Sequence, residues 1–390
     1  MKKVISACFI AFISFLFIGT SLQFAREAVW YAREEGIKSG VLHIWDIVNT
    51  LDTAYQEKLV GHDAFISLNG AFNKVTFSDA VPSVNKANSV YRLKNGYIAF
   101  AVNEFKEFSE AEKDSIKRAR AAADETGAMA LFVSIPPKVC DENDFALKGV
   151  KNYEYDVIDY RIGFFEENGF EILNLHDKLH EQNLDHYSLF YRTDHHWNAD
   201  AGLWASKELS TYLSGKGFSI NSKTFDKENY DETVIEDLFL GSQGKQVGKY
   251  YAGTDDFKYF TPKAETDYSK TGGSDSLRNS GGFEDVMFEK AKLTTDLFGS
   301  FNYSSFLGGD FAQTKVINNL NKTGPKVLII KDSFSNVLCT YFAAECSELH
   351  MIDPRHYKES VSDYISSNGF DVVIISLSAR MTNSDFNWEK

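Results

Sequence analysis

Short, mainly apolar runs that alternate with helical segments constrain the fold of this chain more than any other feature of its sequence. Such runs occupy Gly96 to Val102, Ala128 to Ile135, Phe170 to Leu175, Lys326 to Ile330, Glu348 to Ile352 and Val372 to Leu377. Runs of this length with few polar residues are typical of strands that are buried on both faces. Their alternation with helices predicts an α/β protein with a mainly parallel sheet.

The segments between these runs carry helix signals. Ser109 and Glu112 have the spacing of a capping box, which predicts a helix that runs to about Glu125 and stops at Gly127. Tyr153 to Glu167 has the pattern of a second helix, closed by an Asn-Gly pair. Helices of this kind supply the crossovers that parallel strands need, so they support the α/β prediction.

Between about residues 218 and 324 the alternation stops, and Tyr, Gly, Asp and Ser become frequent. We interpret this stretch as a β-rich or irregular insertion, with a loop-like part from Ser269 to Gly282. Two segments, Gly241–Lys245 and Phe306–Asp310, either let a ligand approach the backbone closely or simply form tight turns. Neither is expected to follow a strand and open a helix, as a phosphate-binding loop does, so no nucleotide is assigned.

Composition and charge restrict the classes of protein that this chain can represent. At 390 residues, 43% of them hydrophobic, it can bury one large core or two modest ones. Its formal charge is −14 and its pI about 5.2, and no stretch collects Lys and Arg as phosphate binding requires. Nucleic acid is therefore not expected as a partner, whereas a neutral glycan is compatible with the charge.

The first 24 residues resemble a targeting segment. Lys2 and Lys3 precede an uncharged, mostly apolar run from Val4 to Phe24, whose length lies between a signal peptide's apolar region and a membrane-spanning helix. Because no small-x-small cleavage site follows, we favour a signal anchor over a cleaved signal peptide, and both over a buried core helix. The bulk of the chain would then lie outside the cytoplasm. Residues 25–95 would form a membrane-proximal entry segment, and residues 96–390 the main domain.

Three cysteines lie outside this segment: Cys140, Cys339 and Cys346. The last two are seven residues apart on a predicted helix, about 10 Å along its axis, which is too far for a disulfide. The sequence has no CxxC pattern of the kind that holds zinc. The cysteines are therefore expected to act as small buried hydrophobic residues, and no cofactor or metal is predicted.

A carboxylate and two imidazoles occupy consecutive positions in Tyr-Arg-Thr-Asp-His-His-Trp-Asn, residues 191–198. On extended backbone, Asp194 and His196 place their side chains on the same side. A carboxylate that orients an imidazole lets the ring accept a proton and then carry positive charge, as a general base must. Two alternatives are a structural histidine and a metal site. The sequence lacks the further Asp-rich motifs that a di-metal phosphoesterase would need.

Ser333 is the candidate nucleophile, 137 residues after His196. It follows the buried run Lys326 to Ile330 and precedes a helix, a position that exposes a side chain at the carboxyl edge of a parallel sheet. Free backbone N–H groups of the first helical turn would lie nearby, suited to an oxyanion. This is the logic of a nucleophile elbow, although G-x-S-x-G is absent. The alternative is that Ser333 or Asp332 only caps the helix.

Tyr-Arg-Thr-Asp-His-His-Trp followed by Leu-Ile-Ile-Lys-Asp-Ser-Phe-Ser-Asn resembles the DHHW family of exported bacterial proteins. That family is related to the alginate O-acetyltransferases and has SGNH-hydrolase-like folds. The resemblance extends from about Gly96 to Asn383, with the Asp-x-His pair before the serine, a permuted order. It implies a three-layer SGNH-like α/β fold with Ser333 as nucleophile, His196 as base and Asp194 as the orienting acid.

The same resemblance implies that Trp197 packs beside the site and that His195 occupies a variable position. Ordinary SGNH enzymes also use a Gly and an Asn in the oxyanion hole, and this sequence offers no clear match to them. Arg355 and Asn383, which follow predicted strands, are weaker candidates for oxyanion or substrate contacts, together with Trp197 and His195.

The leading hypothesis is an extracytoplasmic, serine-dependent O-acyl transferase, with acetyl as the expected group and an envelope or secreted polysaccharide as acceptor. A membrane-bound O-acyltransferase is the expected donor partner. A carbohydrate acetyl esterase and a catalytically silent glycan-binding envelope protein are the alternatives. Geometry distinguishes them, because a working triad places the Ser333 hydroxyl within about 3.5 Å of a His196 nitrogen.

Overall fold

The computed structural model describes residues 10–11, 14–15, 18–21, 61–82, 89–272, 277–299 and 301–388. Most of the predicted targeting segment, residues 1–24, and much of the entry segment, residues 25–95, therefore lie outside the described part. Among the described residues, no helix combines the length and the apolar character needed to cross a membrane.

The strands and helices of the described part are numbered in chain order. The strands are β1 (Ala80–Pro82), β2 (Ser89–Arg92), β3 (Ile98–Ala99), β4 (Met129–Ser134), β5 (Glu171–Asn174), β6 (Tyr230–Phe239), β7 (Asp255–Pro262), β8 (Tyr268–Gly272), β9 (Leu277–Gly281), β10 (Gln313–Asn318), β11 (Lys326–Lys331), β12 (Glu348–Ile352) and β13 (Val372–Ser376). The helices are α1 (His62–Val75), α2 (Glu110–Thr126), α3 (Glu154–Glu167), α4 (Leu175–Glu181), α5 (Ala199–Gly215), α6 (Ser242–Val247), α7 (Lys249–Ala252), α8 (Phe283–Val286), α9 (Ser335–Phe342) and α10 (Val361–Asn368).

One sheet of eight strands organises the molecule, in the order β5-β4-β13-β11-β12-β10-β8-β9. Its first five strands are parallel, and β10, β8 and β9 continue it in antiparallel pairing. Strands β1 to β3 form a small separate sheet, and β6 pairs with β7. The prediction of an α/β fold with a mainly parallel sheet is confirmed.

Both faces of the parallel half are buried, as the apolar runs predicted. Leu131 of β4 and Ile329 of β11 belong to the core cluster that helices α5 and α9 cover. Their chain neighbours Phe132 and Ile330 belong to the cluster beneath α2 and α10. Successive residues of a strand point to opposite faces, so a strand covered on both sides must be apolar throughout. The result is a sheet between two helical layers.

The helix signals were read correctly. Ser109 and Glu112 form the predicted capping box at the start of α2, in which the N–H of Ser109 donates to Oε2 of Glu112 over 2.5 Å. Gly127 ends the helix with φ 77°, a left-handed conformation that glycine adopts without strain. Helix α3 begins one residue after its predicted start and ends at the predicted Glu167.

The strand predicted from Gly96 to Val102 is wrong in extent, because only Ile98 and Ala99 are in a strand. The reason lies in the partners of this backbone. The N–H of Ile98 donates to the carbonyl of Arg192, and that of Val102 donates to the side chain of Asn152. Apart from the pairing of β3 with β2, the backbone of this run is therefore held by contacts with loops.

The insertion contributes directly to the main sheet. Strands β8, β9 and β10 all come from residues 218–324 and extend the sheet at one side. The loop-like segment Ser269–Gly282 is thus largely a hairpin, whose strands look polar because Ser269 and Thr271 are only partly buried or exposed at this edge. Gly241 follows β6 and precedes α6, so the expectation that this glycine segment would not connect a strand to a helix is also wrong. The charged sequence of β6 obscured its strand character.

Candidate active site

The structure brings Asp194, His196 and Ser333 into one hydrogen-bonded row. Nε2 of His196 lies 2.8 Å from Oγ of Ser333, and Nδ1 of the same ring lies 2.5 Å from Oδ1 of Asp194. The Asp194 side chain is fully buried. A carboxylate bound to one ring nitrogen leaves the other free to accept the proton of a serine hydroxyl. The row therefore has the geometry of a nucleophile, a base and an orienting acid.

The turn that carries Ser333 is held by the residue before it. Oδ1 of Asp332 accepts the N–H of Phe334 at 3.0 Å. Oδ2 of Asp332 accepts both the N–H and the hydroxyl of Ser378, just after β13, at 3.0 and 2.6 Å. Asp332 thus stabilises the turn and ties it to the neighbouring strand end. The hydroxyl of Ser333 is directed to His196 instead of capping the helix.

Two aromatic residues fix the serine turn against the base. Nε1 of Trp197 donates to the carbonyl of Phe334 over 2.6 Å, and the hydroxyl of Tyr303 donates to the same carbonyl over 3.1 Å. The Tyr303 ring also stacks on the His196 ring, with centroids 4.1 Å apart and planes 18° from parallel. Stacking at this distance restricts rotation of the imidazole. Tyr303, from the insertion, therefore positions both the base and the turn.

The loop that carries Asp194 and His196 is anchored to the start of β7. Oδ1 of Asp255 accepts the N–H of Arg192 at 2.8 Å, and its Oδ2 accepts the N–H and hydroxyl of Thr193 at 2.8 and 2.5 Å. The hydroxyl oxygen of Thr193 in turn accepts the N–H of Gly241 at 2.9 Å. Burial raises the pKa of Asp255 despite these donors. The residues just before Asp194 are therefore held by the side chain of Asp255 and by the backbone at Gly241.

Gly241 permits a close approach, but the group that approaches is Asp194 rather than a ligand. A Cβ at this position would lie 2.2 Å from Cβ of Asp194, closer than any real contact. The following residue uses the same proximity. The N–H of Ser242 donates to Oδ2 of Asp194 over 2.5 Å, and its hydroxyl lies 2.7 Å from Nδ1 of His195. The segment that begins at Gly241 therefore supplies a hydrogen-bond donor, the N–H of Ser242, to Oδ2 of Asp194.

A buried lysine also holds the loop that contains Asp194 and His196. Lys138 follows β4 and is 1% exposed. Its Nζ donates to the carbonyls of Ile98, Arg192 and Asp194 over 2.6, 3.0 and 2.6 Å, and to Oε1 of Gln243 over 3.2 Å. Burial lowers the pKa of Lys138 to about 7. Four acceptors from three segments of the chain therefore converge on one side chain.

The electrostatics of the row favour an ionised acid. Burial alone would raise the pKa of Asp194, but the adjacent His195 and His196 rings and the hydrogen bonds from His196 hold it well below its ordinary value. Burial, with the neighbouring His196 ring, lowers the pKa of His195. A carboxylate that stays charged stabilises the imidazolium formed when a base accepts a proton.

A cavity of about 230 Å³ opens beside Ser333. Of the weaker candidates, His195 and Arg355 both line it, and Arg355 is held by ion pairs to Asp353 at 2.5 Å and to Asp310 at 3.2 Å. Its walls are formed by Phe100, His195, Asp332, Ser333, Phe334, Arg355, Ser378, Arg380 and Met381. A guanidinium and an imidazole thus face the space next to the serine hydroxyl.

Asn383 is placed elsewhere. Its amide nitrogen donates to the carbonyls of Lys106 and Glu107 over 2.8 and 2.9 Å, and its amide oxygen accepts from Arg161 at 3.4 Å. It does not line the cavity beside Ser333. Because the nitrogen and the oxygen of its side-chain amide both have these partners, the position of Asn383 gives no support to an oxyanion role.

A larger cavity, of about 480 Å³, lies at a different part of the molecule. Its walls include Tyr230, Lys263 and Asn318 of the insertion, together with Glu345 from the segment after α9. Neither Ser333 nor His196 contributes to it. The candidate active site is therefore identified by the hydrogen-bonded row and not by the size of the cavity beside it.

Two clusters of described residues have donor atoms close enough together for a metal ion. Ligand atoms of Asp194, His195 and His196 lie within 4.8 Å of one another, as do those of a second group outside the row. In the first cluster, both nitrogens of His196 already face partners, Asp194 and Ser333. The hydrogen-bonded arrangement there suits proton transfer better than metal ligation.

Several residues of the site carried no readable signal in the sequence. Lys138 and Asp255 look like ordinary charged residues, and Tyr303 is one of 19 tyrosines. Their partners are far away along the chain, so no local pattern marks them. Gly241 is the exception. Its sequence did indicate a close approach to the backbone, but the approach predicted was that of a ligand and not that of Asp194.

The sheet order and the row at its carboxyl edge define an SGNH-hydrolase-like α/β protein. Within this class, the family model described as DHHW protein matches residues 177–352, which confirms the resemblance read from the two motifs. A comparison with curated proteins gives no match.

Two solved structures share this fold. PatB1 from Bacillus cereus, solved with a sulfonyl adduct, aligns with a TM-score of 0.61 at 18% identity, over 77% of this chain and 98% of its own. A DHHW family protein from Eubacterium siraeum DSM 15702 aligns with a TM-score of 0.54 at 18% identity, over 79% of this chain and 97% of its own. The likeness extends well beyond the region matched by the family model and concerns the fold.

Proposed function

We propose that this protein is a serine-dependent O-acyl transferase, with acetyl as the transferred group and a polysaccharide as acceptor. The observation that carries the proposal is the row from Asp194 through His196 to Ser333, with contacts of 2.5 and 2.8 Å. The family resemblance favours acetyl transfer. Ser333 is the proposed nucleophile, His196 the proposed base and Asp194 the proposed orienting acid.

The proposed reaction has two half-reactions. Oγ of Ser333 attacks the acyl carbonyl while Nε2 of His196 takes the hydroxyl proton, and the carbonyl oxygen carries the negative charge of the tetrahedral intermediate. The imidazolium then returns the proton to the leaving group, which leaves an ester on Ser333. A sugar hydroxyl repeats these steps in reverse, with His196 as its base, and departs as the ester. Water in place of the sugar gives hydrolysis.

The cavity beside Ser333 is the proposed binding site for donor and acceptor. Arg355 is the proposed cationic contact for substrate oxygens, because its guanidinium is held at the cavity wall by Asp353 and Asp310. His195 is the second candidate, and its contact with Ser242 fixes the ring. Trp197 has a positioning role in this proposal through the carbonyl of Phe334.

The proposed location is outside the cytoplasm, attached to the cytoplasmic membrane through residues 1–24 or secreted if those residues are removed. The support is the two lysines and the apolar run in the sequence. The entry segment, residues 25–95, would then lie between the membrane and the SGNH-like domain, residues 96–390. A membrane-bound O-acyltransferase is the proposed donor partner, on the family resemblance.

The first experiment asks whether Ser333 is a nucleophile. The full chain, purified in detergent, is incubated with phenylmethylsulfonyl fluoride and its intact mass is followed. Attack by Ser333 on sulfur releases fluoride and adds one sulfonyl group, with the hydroxyl proton passing to His196. We expect one adduct on the native chain and none on Ser333→Ala or His196→Ala. Ser214→Ala, which removes an exposed serine, serves as the matched control and should be labelled fully.

The second experiment separates transfer from hydrolysis. The chain is supplied with 4-nitrophenyl acetate, alone and with excess cellopentaose or chitopentaose, and the oligosaccharides are examined by mass spectrometry. An acetylated oligosaccharide supports the transferase, and 4-nitrophenol release without it supports the esterase. No adduct and no turnover in a folded sample would instead favour the glycan-binding protein, which direct binding of the same oligosaccharides would test.

A further inference from the structure

A second group of nucleophilic and metal-binding side chains lies outside the row, on the segment that leads into it. Helix α4 carries His176 and His180, which are four residues apart and therefore share one face. His186 begins the turn that follows, and Cys140 lies in the loop after β4. Sγ of Cys140 and one ring nitrogen each of His180 and His186 lie within 4.8 Å of one another.

His186 presents a free lone pair to this group. The residue is 7% exposed, and its Nε2 lies 2.8 Å from the carbonyl of Pro137. A carbonyl can only accept, so Nε2 carries the proton and Nδ1 is left as an acceptor. Within the described part of the chain, the buried Nδ1 has no hydrogen-bond partner. A carbonyl that fixes the far nitrogen is the usual support of a metal-binding histidine.

The neighbouring His176 offers a further ring nitrogen. Its Nδ1 is buried and likewise has no hydrogen-bond partner among the described residues. The rings of His176 and His180 have centroids 4.3 Å apart. His176 therefore lies next to the group formed by Cys140, His180 and His186.

We propose that Cys140, His180 and His186 form a binding site for a divalent transition metal, zinc above all, with His176 as the fourth ligand. One thiolate and imidazoles are a ligand set that zinc prefers in tetrahedral geometry. Ligand atoms around zinc lie about 3.3–3.8 Å apart, so the atoms of Cys140, His180 and His186 need only a small contraction. His176 lies outside this group and would have to move in to join it. Burial raises the pKa of the Cys140 thiol. Metal binding replaces the thiol proton, which is released to solvent.

The site would brace the loop of the candidate active site rather than join its chemistry. The turn His186–Leu189 leads into that loop, where Phe190 pairs with Trp197 in an isolated bridge. The N–H of Asn198 donates to the carbonyl of Leu189, which closes the loop on the same turn. A metal ion that fixes His186 would therefore hold the base of the loop. This inference does not depend on the proposed acyl transfer.

The test uses the full chain, stripped with a chelator and titrated with zinc or cobalt salts alone. We expect one equivalent to bind, a rise of a few degrees in melting temperature, and a thiolate-to-cobalt charge-transfer band in the near ultraviolet. The band identifies the site, because the Asp194 cluster contains no sulfur. Cys140→Ser should abolish the band, and His180→Asn should weaken zinc binding on the order of 100-fold.

His180 keeps the test decisive if Cys140→Ser fails to fold. Its side chain is exposed, so His180→Asn should melt like the native chain when no metal is present. His356→Asn removes another exposed histidine and should bind zinc like the native chain. The proposal is overturned if cobalt gives no thiolate band, or if a folded His180→Asn chain binds zinc as tightly as the native one.

Discussion

The two halves of the candidate active site are built in different ways. Ser333 sits on a tight turn between β11 and α9, and its nearest supports, Asp332 and Ser378, belong to two adjacent parallel strands or the turns that follow them. Asp194 and His196 sit on an irregular loop whose supports come from β7, from the segment at Gly241 and from Lys138. One half follows from the sheet, and the other depends on contacts that are distant in sequence.

The difference predicts where the site is sensitive to substitution. The sheet edge places a serine at this turn by topology, so local changes should be tolerated unless they remove the hydroxyl. The loop with Asp194 and His196 is not part of a β-sheet, so no row of strand-to-strand hydrogen bonds fixes its shape. It keeps that shape only while its long-range partners are present. Substitutions in those partners should therefore disturb the position of the acid and the base while the sheet remains folded.

The largest expected effect follows from Asp194→Asn, which removes the charge of the loop half without changing its shape. An amide can donate to Nδ1 of His196 and so favours the wrong tautomer. We expect 4-nitrophenyl acetate turnover to fall about 10³–10⁴-fold. Asp159→Asn, on the exposed face of α3, is the control and should keep full activity. Equal turnover by Asp194→Asn and the native chain would remove Asp194 from the proposed chemistry.

Lys138→Met tests whether long-range support holds the loop. The substitution keeps the length of the side chain but leaves the carbonyls of Ile98, Arg192 and Asp194 without a donor. We expect the free energy of unfolding to fall by about 3 kcal/mol in urea denaturation. Lys117→Met on the exposed surface of α2 should change it by less than about 0.5 kcal/mol. If both variants are equally stable, the loop is held by other contacts.

The sequence predicted the sheet half of the site well, for a physical reason. The apolar runs, the capping box at Ser109 and the stop at Gly127 are local signals, and a buried parallel strand must be apolar along its whole length. Ser333 could be placed because its position depends on the strand before it and the helix after it. The insertion was harder, because β6 and β8 carry polar residues on their exposed sides.

The loop half could be predicted only in part. Asp194 and His196 were found because they are two residues apart and match a family motif. Lys138, Asp255 and Tyr303 were not, since each acts on the site across at least 31 residues of sequence. Contacts of this kind leave no periodic pattern, and a charged or aromatic residue that makes them looks like any other.

Gly241→Ala tests the most local of the loop supports. The added methyl group would lie 2.2 Å from Cβ of Asp194 and 2.5 Å from its Cα, both parts of the chain that cannot turn away. We expect the acid to be displaced and turnover to fall about 10²-fold, the effect of a shift near 1 Å in a catalytic group. Gly163→Ala, in α3, has open space around the new methyl group and should leave turnover unchanged. Normal activity of Gly241→Ala would show that the loop adjusts freely.

The smallest expected effect sharpens the comparison, because it concerns a second support that the serine half receives from the insertion, in addition to Tyr303. Asp310 accepts from Nζ of Lys331 at 3.2 Å and from the amide of Asn336 at 2.9 Å, next to the serine turn, and it pairs with Arg355. Burial alone would raise the pKa of Asp310, but Lys331, Asn336 and Arg355 lower it to about 2. The ionised form is therefore the one that the folded state favours.

The sign of the resulting pH dependence follows from that direction. A carboxyl group whose pKa is lower in the folded state contributes stability above its unfolded pKa, near 4, and loses it as the pH falls towards 2. Asp310→Asn should lower the free energy of unfolding by about 2 kcal/mol at neutral pH. The difference from the native chain should shrink steadily between about pH 4 and pH 2. Urea denaturation across this range measures it, and parallel curves for the two proteins would mean that the ion pairs of Asp310 contribute nothing to the serine half.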